Sequence, residues 1–189
     1  HEGRWHVGAY TKIGHGGRDG DNDTTSGTFT GSINVLSRDN ITLEGGVGQD
    51  AFVQVGHGGS HLVAAGTEQG FTIGSATDLT NSAINVLSTN GNITLEGGDT
   101  FRLYNNVGIA AGTQVTTERR WGMIGHGGFQ YDGHAYGNVD VEATNGTITL
   151  TGGNMGDDFV KIGSGGKEIG GNGINNRDYN FHGNIDAVS

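Results

Sequence analysis

The chain has 189 residues with 39 glycines, no proline, no cysteine and a formal net charge of −10. This balance argues against a nucleic-acid partner, which needs a basic stripe to neutralise phosphates, and it excludes a disulfide framework and thiolate chemistry. No apolar run approaches the roughly 20 residues of a membrane-spanning helix, so no membrane insertion is expected.

Residues 1–8 read as the tail of an earlier unit. The first repeat, 9–50, carries I-G-H-G-G at 13–17, a gap at 18–31, the alternating S-I-N-V-L-S at 32–37 and N-I-T-L-E-G-G at 40–46. The second, 51–106, has V-G-H-G-G at 55–59, a gap at 60–82, A-I-N-V-L-S at 83–88 and N-I-T-L-E-G-G at 92–98. An insertion over 99–120 precedes the aromatic of the third unit, 107–158. That unit has I-G-H-G-G at 124–128, a gap at 129–137, N-V-D-V-E-A at 138–143 and T-I-T-L-T-G-G at 147–153. The fourth, 159–189, has I-G-S-G-G at 162–166, a gap at 167–183 and N-I-D-A-V-S at 184–189, with no second strand after it. That ending, and a start at His1 rather than Met, predict a processed subunit or a fragment. Fixed strands with variable connections in one order predict a single all-β stacked-repeat body, a β-solenoid. Asn/Asp/Gly turns between paired strands suit sharp corners, and a stack of tight turns accounts for the glycine.

Alternation assigns faces. Ile33, Ile84, Val139 and Ile185 are expected inward, with Val35, Val86, Val141 and Ala187 two residues on. Asn34, Asn85, Asp140 and Asp186 face out. In the next strand Ile41, Ile93, Ile148, Leu43, Leu95 and Leu150 face in, and Thr42, Thr94 and Thr149 face out. Before the glycine-rich segment, Ile13, Val55, Ile124 and Ile162 face in, and Lys12, Gln54, Met123 and Lys161 face out. The same parity puts Tyr10, Phe52, Trp121 and Phe159 outside. They form either a satellite core under insert loops or a contact stripe for sugar rings or a neighbouring fibre. A repeat reads as one wide turn or two narrow ones; the even spacing of Ile33, Phe52 and Phe71 favours narrow turns of about 19–21 residues in places.

Four features suggest chemistry. His15, His57 and His126 align, with Ser164 in the fourth copy. Rings in register point in parallel and do not converge on one metal, so each is expected to bond a turn carbonyl. Calcium is suggested by Asp19, Asp21 and Asp23, spaced like the start of a calcium loop, and by Asp50 in G-G-V-G-Q-D-A-F-V, which fits a β-roll repeat. Asn22, Asn40, Asn92 and Asn145 open N-x-Thr sequons that accept N-linked glycan outside the cell. Glu44 and Glu96 align, but Thr151 occupies the third position. A row made by repetition is not an active site, so no enzyme is expected.

The paired strands ending in L-E-G-G or L-T-G-G, followed by an aromatic and I-G-H-G-G, resemble the passenger repeats of filamentous-haemagglutinin-like proteins of two-partner secretion and related autotransporter adhesins. The resemblance covers most of 9–189. It implies a right-handed parallel β-helix, secreted to the bacterial cell surface, acting in adhesion or matrix. The expectation is an extracellular structural fibre or adhesin stalk. It forms filaments end to end or belongs to a longer surface exoprotein, and glycans are candidate ligands. The alternatives are a carbohydrate-active enzyme, either polysaccharide lyase or hydrolase, built on a β-helix, and a calcium-binding β-roll module.

Overall fold

The computed structural model describes residues 10–17, 27–46, 51–60, 70–98, 120–153, 158–166 and 181–189, and within them all regular structure is β-strand. The first repeat supplies β1 (Tyr10–Ile13), β2 (Thr28–Phe29), β3 (Ile33–Ser37) and β4 (Ile41–Glu44). The second supplies β5 (Phe52–Val55), β6 (Phe71–Ile73), β7 (Ile84–Ser88) and β8 (Ile93–Glu96). The third supplies β9 (Trp121–Ile124), β10 (Gly133–Tyr136), β11 (Val139–Ala143) and β12 (Ile148–Thr151). The fourth supplies β13 (Phe159–Ile162), β14 (Phe181–His182) and β15 (Ile185–Val188).

Every pairing between these strands is parallel and joins successive repeats. The first sheet runs β1-β5-β9-β13 and the second β2-β6-β10-β14; the third runs β3-β7-β11-β15 and the fourth β4-β8-β12. The chain thus visits four sheets in turn and comes back to the first one strand further along. One such circuit is a rung. Register holds at identical motif positions: Ile33 faces Ile84, Ile84 faces Val139, and Val139 faces Ile185. One repeat is therefore one rung, and the narrow-turn expectation fails. Ile33, Phe52 and Phe71 are evenly spaced but lie in the third, first and second sheets.

Alternation decides the core. The main cluster takes Ile33, Ile84, Val86, Val139 and Val141 from the third sheet. Leu43, Ile93 and Leu95 come from the fourth, and Val53, Val55 and Ile124 from the first. Each side chain of this size, fully buried, contributes about 1.5–3 kcal/mol of transfer free energy. The second sheet stands apart with its own cluster of Phe71, Ile73, Tyr131 and Ala135, flanked by Phe29 and Phe181. A third cluster, Phe52, Trp121, Met123 and Phe129 with Phe159 against it, contains the outward row of the first sheet.

Inward parity is not the same as burial. Ile84 and Val139 are 0% exposed, whereas Ile185 in the same row is 57% exposed. Val55 and Ile124 are buried, while Ile13 at the other end of their row is half exposed. Leu150, expected inside, lies on the last strand of the fourth sheet and is also exposed. These residues occupy the correct face but, among the described residues, have a neighbouring rung on one side only.

Two kinds of corner hold the rungs in register. Between the third and fourth sheets, asparagines bridge rungs: Asn40 Oδ1 accepts from the Asn92 N–H at 2.8 Å, and Asn92 Oδ1 from the Thr147 N–H at 3.0 Å. After the first sheet the glycine-rich segment makes the turn. Gly56 has φ 151°, and a Cβ there would overlap the Gly125 carbonyl of the next rung. Gly58, at φ 106°, faces the Gly127 carbonyl in the same way. Only glycine accepts both the backbone region and the approach.

Candidate functional site: the glycine-histidine seam and the aromatic column

The Gly-His-Gly-Gly turns stack on one another, and the histidines form a column between the main core and the second sheet. His57 and His126 rings lie 5.2 Å apart and are 3° from parallel; His15 and His57 are 5.0 Å apart and tilted. Each buried ring uses both nitrogens. His57 Nε2 lies 2.7 Å from the Gly31 carbonyl, and His126 Nε2 lies 2.6 Å from the Ser82 carbonyl. The Nδ1 of His57 accepts from the His15 backbone N–H at 3.0 Å, and the Nδ1 of His126 from the His57 backbone N–H at 3.2 Å. These partners fix the neutral tautomer that carries its proton on Nε2. Burial is the main cause that lowers both imidazoles, His126 to about 4, against the opposing pull of the carbonyl bonds. The expected turn-carbonyl bond is present, and the imidazole-to-backbone bond between rungs adds to it.

On the other side of each turn lies the row Lys12, Gln54, Met123 and Lys161. Lys12 Nζ donates to Gln54 Oε1 at 2.7 Å and to the Gly58 carbonyl at 2.5 Å. Gln54, fully buried, donates through Nε2 to the Gly125 and Gly127 carbonyls at 3.0 and 3.1 Å. Lys161 Nζ donates to the Ser164 carbonyl at 2.5 Å. Burial lowers the Lys12 amine to about 7. Lys12, Gln54 and Lys161 satisfy turn carbonyls that glycine-rich backbone would otherwise leave unpaired.

Tyr10, Phe52, Trp121 and Phe159 form a continuous stack. Successive centroids are 4.8, 4.3 and 5.5 Å apart, and every pair is within 3° of parallel. The outward placement is as expected, but Phe52 and Trp121 are buried and only Tyr10, at 49%, is open. The column is thus a satellite core through its middle, and it does not present a continuous contact stripe. Arg120 and Asp158, each immediately before a column aromatic, are bonded across rungs. The Arg120 guanidinium lies 3.0 Å from Asp158 Oδ2, its backbone N–H donates to Asp158 Oδ1 at 2.8 Å, and both side chains are buried. Their equivalent positions in the repeat are the signal from which this bridge was readable.

The remaining candidates do not come together. Asp19, Asp21, Asp23, Asn22 and Asp50 lie outside the described residues. Among the described residues no group of three or more histidines and carboxylates is arranged to hold a metal. Asn40 and Asn92 spend their side-chain oxygens on the next rung, and Asn145 Nδ2, the atom a glycan would take, donates to the Thr89 carbonyl at 2.8 Å. Glu44 pairs Glu96 in register, with Thr151 beyond, as a row on the fourth sheet. The second sheet was not foreseen: its strands are two to four residues long and lie inside the variable gaps.

Among the described residues no helix is long and apolar enough to cross a membrane. No family model, no curated protein and no solved structure matches the chain.

Proposed function

We propose that this chain is a stretch of an extracellular right-handed parallel β-helix that serves as a structural fibre or adhesin stalk. Its rungs are continued by further rungs, either of a longer chain or of another copy stacked end to end. The observation that carries this reading is the state of the stack's two ends among the described residues. Each sheet terminates in an open parallel edge: β1, β2, β3 and β4 at one end, and β13, β14, β15 and β12 at the other. The apolar residues there are uncovered: Tyr10 and Ile13 on one edge, Ile185 and Val188 on the other. An open edge with exposed apolar side chains templates another strand, and a head-to-tail contact that does not close propagates as a filament. The likeness of the repeats to filamentous-haemagglutinin-like passengers supports the extracellular setting.

Negative-stain microscopy together with sedimentation velocity over a hundredfold concentration range tests this. Filaments, or particles that lengthen with concentration, are expected of this chain or of a longer parent containing it. A strictly monomeric species at high concentration, with ordered structure capping both ends, would overturn the reading.

A further inference from the structure

We propose that the histidine column is an acid-operated latch: protonation of His57 and His126 breaks the imidazole bonds between successive rungs and loosens the glycine-rich turns. The geometry leaves no room for a charged ring. A protonated imidazole is a donor at both nitrogens. At Nε2 that changes nothing, because the Gly31 and Ser82 carbonyls accept there. At Nδ1 it sets N–H against N–H, since the backbone amides of His15 and His57 already donate to those atoms. One proton therefore removes one bond between rungs and replaces it with repulsion. The column holds two such positions in series, 5.2 Å apart and nearly parallel, so the second proton meets the charge of the first.

Among the described residues the surroundings give no compensation. From β1, Lys12, on the far side of the turns, opposes a second positive charge; the neighbouring imidazoles do the same. The junctions before β3 and β7 present the Gly31 and Ser82 carbonyls, and Gly137, before β11, lies against the His126 ring. The second sheet contributes Phe29, which contacts the His15 ring. Among the described residues no carboxylate adds to these causes for either ring. What the latch holds is specific. The Nε2 bonds, from His57 to the chain between β2 and β3 and from His126 to the chain just before β7, survive protonation; the bonds lost are those from Nδ1 to the His15 and His57 amides of the preceding glycine-rich turn. Opening it parts the glycine-rich turns of successive rungs and leaves the apolar cluster of the first, third and fourth sheets intact.

Linkage sets the sign. With the folded imidazole lowered from 6.5 to about 4, the open chain binds the extra proton between those values. Stability is then full above pH 6.5 and falls as pH drops toward 4. Within that window, each drop of one pH unit favours the open form by about tenfold for each ring that charges.

The test is an imidazole nitrogen-15 titration of the intact chain from pH 8 to pH 3, read together with amide exchange protection. For His126 the neutral Nε2–H pattern should persist well below pH 6, and His57 should likewise charge below 6.5. When these rings charge, protection of the His15 and His57 amides should fall by about tenfold or more, while β7 and β11 stay protected. Titration of both rings near 6.5, or simultaneous loss of protection in all four sheets, would overturn the proposal. His126→Gln gives a second reading. If it folds, its acid transition should move to lower pH; an unmoved transition counts against the latch. If it does not fold, the titration of the intact chain still decides.

Discussion

The two middle rungs and the two end rungs are written in nearly the same letters, yet they behave as different materials. In the row of Ile33, Ile84, Val139 and Ile185 the middle pair is sealed, and the last is more than half exposed. The row of Ile13, Val55, Ile124 and Ile162 repeats the pattern. So does the aromatic column, closed at Phe52 and Trp121 and open at Tyr10. Sequence motif determines which face a residue takes; neighbouring rungs determine how much that placement contributes. In a quasi-one-dimensional stack, stability is a sum of rung and interface terms, and an end rung has one interface fewer.

The sharpest way to break this comparison is a charge in one inward row. Val86→Asp, in a middle rung, should cost about 3–5 kcal/mol, because the carboxylate is buried without a partner. Ala187→Asp, in register with it through Val141 and exposed at the end, should stay within about 0.5 kcal/mol. Equal losses in denaturant melts would show that the end rungs are covered in solution. Asn85→Asp, on the outer face beside Val86, should likewise cost little, although it gives up a 2.9 Å bond to Asn34.

Next in size is a methyl group at a glycine. Gly56→Ala places a Cβ on the Gly125 carbonyl at a φ of 151° and should lose about 1–3 kcal/mol. Gly152→Ala, near the end of the fourth sheet with nothing within 4 Å of its Cβ position, should be neutral to within about 0.5 kcal/mol. Comparable melting temperatures for the two variants would contradict the account of the turn.

The smallest expected effect runs the other way. Ser164 ends the histidine column in the last rung. Ser164→His would place an Nδ1 before the His126 backbone N–H and an Nε2 before the Gly137 carbonyl, by the register of the other copies. One satisfied pair of bonds should add about 1 kcal/mol at neutral pH, and the gain should vanish in acid. A gain that persists at pH 4 would assign it to packing rather than to the bonds.

Much of this was legible before any coordinates. Alternation over I-N-V-L-S and I-T-L-E assigned the inward rows, because one face of each strand is buried and the side-chain period is two. The Gly-His-Gly-Gly repeats marked the stacked turns. What could not be read was of two kinds. The second sheet was hidden because strands as short as Thr28–Phe29 and Phe181–His182 carry no periodicity. The rung size was misjudged because the even spacing of Ile33, Phe52 and Phe71 reflects strands around one circuit, not successive circuits. The seam was half visible: a carbonyl partner for each histidine was expected, whereas the amide reaching Nδ1 depends on the next rung being in register. The aromatic column was placed on the correct side, but alternation carries no information about what lies over it.

Successive rungs recur after 51 residues between Asn34 and Asn85, 55 between Asn90 and Asn145, and 46 between Asn138 and Asn184, with the paired positions kept aligned throughout. Alignment is enforced locally, by glycine against carbonyl and asparagine against amide, so it does not count the residues in between. The scaffold therefore tolerates growth and loss at its loops as a sentence tolerates parentheses. Differences of several residues in the loops between these strands leave the ladders in phase. Lineages can vary what the surface displays without renegotiating the interior, and a designer can graft a foreign segment there with the same freedom.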